Sequence, residues 1–123
     1  MPGLRPPDWA NEAAKREFRD LPEDIQRSFG WALLFVQGGE TPGIAKPWKG
    51  LGSGVFELVE DNQAGTFRCV YLARFEPAVY VLHSFQKKSS HGIKTSRQTV
   101  ELVEQRYRAA EADYRAHYVR RGD

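Results

Sequence analysis

The chain has 123 residues, about the length of one domain, with 18 Lys and Arg against 16 Asp and Glu for a net charge of +2. Hydrophobic residues make up 41% of it, enough for one modest core and against wholesale disorder. The longest apolar run, Trp31 to Val36, falls far short of the roughly 20 residues that span a bilayer, and the single cysteine, Cys69, excludes an internal disulfide and a cysteine-built zinc site. The N-terminus has no basic-then-apolar signal pattern, so one cytoplasmic domain over 1–123, with no membrane association, is expected.

Residues 1–7, with Pro2, Pro6 and Pro7, read as an extended lead-in. Asp8 is placed to cap a first helix over Trp9 to Asp20, and Leu21-Pro22 interrupts it. Pro22, Glu23 and Asp24 suit the first turn of a second helix, in which Ile25, Phe29, Ala32, Leu33 and Val36 recur at helical spacing. Trp31, Leu34 and Phe35 widen that stripe and predict burial on more than one side. Gly38-Gly39 ends the helix, and residues 38–54, with six glycines, read as loop.

The period then changes to two. Val55 to Glu60 reads as a strand, Asp61 to Gly65 as a turn, and Thr66 to Phe75 as a second strand. Its one face holds Phe67, Cys69, Tyr71, Ala73 and Phe75; the other holds Arg68, Val70, Leu72 and Arg74. Glu76-Pro77 turns into a third strand, Ala78 to Gln86, with Val79, Val81, His83 and Phe85 on one face. Short connections predict an antiparallel meander. After a polar loop over Lys87 to Lys94, Thr95 with Gln98 predicts the cap of a last helix, where Val100, Val103, Tyr107, Ala110 and Tyr114 form the apolar stripe. Residues 119–123 read as a frayed tail. The order is α-α-β-β-β-α, an α+β fold with the helices on one side of a small sheet of three, possibly four, antiparallel strands.

Charge is uneven along this order. Residues 1–60 carry seven Lys and Arg against nine Asp and Glu, and residues 61–123 carry eleven against seven. No acid lies between Pro77 and Val100, where Lys87, Lys88, Lys94 and Arg97 all fall. Such a block attracts phosphates, although a solvated loop has the same composition. Arg68 sits among apolar neighbours inside a strand, a costly place for a charge. It either pairs with a carboxylate such as Glu57 on the neighbouring strand or binds a phosphate, and the two roles are compatible. The histidines, His83, His91 and His117, have no metal-ligand spacing. His83 reads first as a structural histidine, and Tyr107 and Tyr114 as core. Gly50 to Gly54 lacks the Gly-Lys-Ser/Thr ending of a phosphate loop, and a strand follows it where that motif needs a helix.

Three blocks together carry a family resemblance. Lys46-Pro47-Trp48-Lys49-Gly50-Leu51-Gly52 with Gly54-Val55-Phe56-Glu57-Leu58 resembles the K-P-L-K-G-L-G-x-G-x-x-E-L stretch of the phage-derived Gp49-like proteins, the HigB-like branch of the RelE/ParE toxin superfamily. Thr66 to Tyr71 is similar to their T-Y-R-x-V-Y, and Val79 to Ser89 to their V-Y-V-L-H-A-F-x-K-K-S. The likeness spans roughly residues 8–115, with one departure. The family often has Thr-Pro-Lys at the start of the last helix, where this chain has Thr95-Ser96-Arg97.

The resemblance implies two leading helices, a small antiparallel sheet and a trailing helix. It further implies a type II toxin that cleaves mRNA on the ribosome without metal or other cofactor, by 2′-OH attack on the adjacent phosphate. The expected partners are a helix-turn-helix antitoxin, mRNA and the ribosome, with the toxin either monomeric or part of a toxin–antitoxin hetero-oligomer. Arg68, Lys87 and Lys88 take the part of phosphate and transition-state stabilisers, and Lys49, Lys94 and Arg97 that of RNA-binding residues. The alternative implied by the same superfamily is a non-catalytic binding module, inactive or directed at another target such as gyrase.

Overall fold

A computed structural model describes residues 7–74, 78–87 and 95–118. The elements are β1 (Asp8–Trp9), α1 (Glu12–Arg19), α2 (Glu23–Gln37), β2 (Ala45–Pro47), β3 (Val55–Asn62), β4 (Gly65–Leu72), β5 (Tyr80–Lys87) and α3 (Arg97–His117). The strands form one sheet in the order β1-β5-β4-β3-β2, antiparallel except for the parallel β1–β5 pair. The meander β3-β4-β5 is the one the alternation predicts. The expected turn at Glu76-Pro77, the end of the second strand at Phe75, residues 1–6 of the lead-in and the 119–123 tail lie outside the described residues.

The two edge strands are additions to the expected sheet. Asp8 does not cap α1. Asp8 and Trp9 run beside Tyr80 and Val81, and Asn11 is the cap, its side chain accepting from the Ala14 amide at 2.9 Å. Within the expected 38–54 loop, Ala45 to Pro47 pair with Leu58 to Phe56 as β2. Both strands are too short for a periodic signal, and only their partners define them. The cap of α3 also moves by one residue: Ser96, not Thr95, accepts from the Thr99 amide, at 3.1 Å.

The helices cover both faces of the sheet, not one. On one face, Ile25, Phe29, Leu33 and Val36 of α2 pack with Leu58, Phe67, Cys69, Tyr71 and Val81. On the other, Val103 and Ala110 of α3 pack with Val55, Val70, Leu72, Tyr80 and Leu82. The β4 alternation already held this result, because Val70 and Leu72 are as apolar as Cys69 and Tyr71 and also need cover. Burying a side chain of this size contributes about 1.5–3 kcal/mol, so neither face is left open without cost. Tyr107 and Tyr114 join the α3-side cluster as expected, while Val100 is 42% exposed.

Helix α2 departs from expectation on its outer side. Trp31, Leu34 and Phe35 are 66%, 40% and 50% exposed. At i, i+3 and i+4 they form one stripe pointing away from the core.

A bulge in β5 decides where its later residues point. Tyr71 faces Val81, but Val70 faces His83, so Leu82 is the extra residue. The slip separates His83 and Phe85 from Val79 and Val81, with which simple alternation had grouped them. Val81 stays in the α2-side core, and His83 and Phe85 turn to the α3 side, beside Val70 and Arg68.

The glycine-rich stretch after β2 is built around Arg74. Its Nε donates to the Ser53 carbonyl at 2.7 Å, one terminal nitrogen to the Leu51 carbonyl at 2.6 Å, and the other to the Tyr107 hydroxyl. Gly54 has φ of +92°, and a Cβ there would stand 2.8 Å from the Cβ of Arg74. The glycine lets the loop close over the arginine. This gives the motif a structural use in place of a phosphate-binding one.

Candidate functional site

Arg68 lies in the middle strand of the meander, between Val59 of β3 and Phe85 of β5. Its side chain is 13% exposed, and its Nη1 donates to Glu57 Oε1 at 2.7 Å. The pairing expected from sequence therefore exists. The buried Nε of Arg68 has no partner among the described residues. A guanidinium held this way is oriented as well as charged, and removing either partner would strand the other in a desolvated place. Lys46 of β2 stands opposite Glu57 in the register, so it shares this face and is exposed.

Lys87 closes β5, opposite Thr66 and two residues beyond Phe85, which puts it on the face of Arg68. The structure thus brings Arg68 and Lys87 onto one surface. Lys88 and Lys94 lie outside the described residues. Lys49 is exposed but follows the Pro47–Phe56 pair, at the opposite end of β3 from the Asp61–Thr66–Lys87 row. It does not join Lys87. Arg97 is 91% exposed at the start of α3, 3.9 Å from Glu101. Such an exposed i,i+4 pair contributes little to stability and leaves the cation accessible.

A second charged group, one that the sequence reading did not single out, is built against His83 and Leu82 of β5. Arg106 of α3 is 6% exposed, and its fork grips the Glu17 carboxylate of α1 at 2.7 and 3.0 Å. Its Nη1 also donates to the carbonyl of Leu82, the bulge residue, at 3.0 Å. Glu17 Oε1 lies 2.8 Å from His83 Nδ1, and the His83 ring stacks on Phe85. His83 is 9% exposed and held on two sides, as a structural histidine is expected to be. A signal for Arg106 was present. It falls between Val103 and Tyr107 on the apolar stripe, the same displaced cation that drew attention to Arg68.

Burial alone would push the Glu17 carboxyl up, but the bonds from His83 and Arg106 and the charge of both outweigh it and hold the group at about 2. A carboxyl lowered from about 4.5 contributes stability that is fully present above that value and is lost as pH falls towards 2. The expected result is that the melting temperatures of the wild type and of Glu17→Gln lie furthest apart at neutral pH and converge between pH 4.5 and 2. A gap that stays constant over that window would remove Glu17 as a titrating anchor.

Cys69 is fully buried, and burial pushes its thiol up to about 12, so it supplies no nucleophile. Among the described residues, no three His, Cys, Asp or Glu side chains cluster as metal ligands would, and no helix is long and apolar enough to cross a membrane. The arrangement offers an oriented guanidinium, a carboxylate bonded to it, further lysines and an aromatic ring on one sheet face. That set suits a phosphodiester with its attached bases.

Comparison with known proteins agrees with this fold. A family profile described as phage derived protein Gp49-like matches residues 16–108. No curated protein matches the sequence. Among solved structures, the isolated E. coli RelE toxin superposes with a TM-score of 0.50 at 19% identity, covering 80% of this chain and 94% of that one.

Proposed function

The chain belongs to the Gp49-like family of phage-derived proteins, and from that premise we propose that it is the toxin of a type II toxin–antitoxin system, a ribosome-dependent mRNA endoribonuclease. The observation that carries the reading is Arg68, a guanidinium fixed by Glu57 on the same sheet face as Lys87. In this reading Arg68, Lys87 and Lys88 neutralise the scissile phosphate, and Lys49, Lys94 and Arg97 contact the RNA backbone. The likeness in fold to a RelE toxin supports the class. The exposed stripe of Trp31, Leu34 and Phe35 supports a protein partner, which we take to be a helix-turn-helix antitoxin.

A second reading is a non-catalytic binding module, inactive or directed at another target such as gyrase. One observation favours it: Glu57 already neutralises Arg68, as a purely structural pair would. Induced expression separates the two. The toxin reading expects growth arrest with mRNA cut inside translated frames, relieved when a helix-turn-helix protein encoded beside it is co-expressed and co-purifies. Arrest without mRNA cleavage favours the second reading. Harmless expression with no binding neighbour removes the toxin assignment.

A further inference from the structure

Arg68 and Phe85 face each other directly across β4 and β5. Cross-strand partners of this kind share a face with their Cβ atoms about 5 Å apart. A nucleotide joins a phosphate to a flat ring through one sugar, so a fixed cation beside an aromatic ring matches its two ends. Phe85 is also braced from one side by a neighbouring ring. The His83 ring lies against it, centroids 4.8 Å apart and planes 17° from parallel. His83 is tied to Glu17 at 2.8 Å, Glu17 to both terminal nitrogens of Arg106, and Arg106 to the Leu82 carbonyl. Elements α1, β5 and α3 thus converge on the plane of one ring. Tyr80 and Leu82, earlier on the same strand, are fully buried, whereas Phe85 is only half-buried.

We propose that Phe85, backed by His83, is a stacking platform for one unpaired base of the single-stranded RNA whose phosphate Arg68 engages. The proposal rests on the RNA-cleaving reading above and adds to it a place where a base is held. A stacked base is recognised by its π-face, so this contact tolerates any base and fixes position, not sequence. His83, Glu17 and Arg106 act as positioning residues through Phe85 and do not touch the RNA.

The test measures binding without cleavage on ribosomes programmed with a short single-stranded RNA made uncleavable by 2′-deoxy sugars. Moving an abasic site along this RNA should reveal one position where the unaltered protein loses affinity by about 5- to 150-fold, the effect of removing one base–aromatic stack. Phe85→Leu should show the same loss on the intact RNA, no further loss with the abasic RNA, and an unchanged salt dependence, because the phosphate contacts remain. Phe85→Tyr, which keeps the ring, should bind as the wild type does. Should Phe85→Leu fail to fold, the abasic scan on the unaltered protein decides alone. No sensitive position, or a Phe85→Leu variant that binds normally or stays sensitive to the abasic site, overturns the platform while leaving the nuclease reading standing. An unaltered protein that cuts no translated mRNA and binds no ribosome-held RNA overturns that reading and the platform with it.

Discussion

Replacing Arg68 by lysine should lower mRNA cleavage by about 10²–10³, the usual cost of losing one preorganised stabiliser of developing charge, while leaving the fold in place. Lysine keeps the positive charge and can still meet Glu57. It lacks the planar fork that lets one guanidinium hold a carboxylate and a phosphate together. The 2.7 Å bond to Glu57 occupies Nη1 and orients the rest of the group, so position as well as charge is lost on substitution. Alanine would be a poorer choice. It would leave the buried Glu57 carboxylate uncompensated at a cost of about 3–5 kcal/mol, and lost cleavage would then report lost structure. Primer extension on a message translated in the presence of the protein gives the cleavage rate, and thermal unfolding gives the control. If Arg68→Lys cuts at the wild-type rate, the Arg68–Glu57 pair is a strut of the sheet, and the phosphate is held elsewhere.

The sequence made much of this site legible, and what it missed has a physical cause in each case. Arg68 and its Glu57 partner were readable because a charge at an apolar strand position must find a counter-charge, and the alternation showed which face it occupies. The meander and the three helices followed from period and from glycine and proline punctuation. The bulge at Leu82 was not readable, because one extra residue leaves the apolar composition unchanged and only the pairing register reveals it. Its consequence is large, since it moves His83 and Phe85 to the face of Arg68. The two edge strands escaped for lack of length. The bare outer side of α2 escaped because periodicity identifies an apolar residue and does not say whether the chain has anything left to cover it. The Glu17–Arg106 pair joins residues 89 apart, a separation that no local pattern encodes.

The largest expected effect concerns the substrate. A single 2′-deoxy sugar at the cleaved position should abolish cutting, and the products should end in a 2′,3′-cyclic phosphate or a 3′-phosphate, with a free 5′-hydroxyl. Beside Arg68 its face of the sheet carries Lys87, the bonded Glu57 carboxylate, the exposed Asp61 carboxylate, the Phe85 ring and His83, which is tied to Glu17. The cations can gather around a phosphate, and Cys69 is sealed in the opposite core with its thiol pushed up to about 12. On the proposed reading the attacking atom is the substrate's own 2′ oxygen. A base takes its proton, the oxygen bonds to phosphorus, the bond from phosphorus to the 5′ oxygen breaks, and an acid returns a proton to that leaving oxygen. In that reading Arg68 and Lys87 stand where negative charge gathers on the non-bridging oxygens, the step at which oriented cations contribute most. Chelating metal is an uninformative test, because ribosomes need magnesium for their own structure; the ends of the product RNA report the chemistry directly. A 5′-phosphate on the downstream fragment, or normal cutting of the deoxy message, would mean that water and not the ribose is the nucleophile, and Arg68 would then be binding the product of a different reaction.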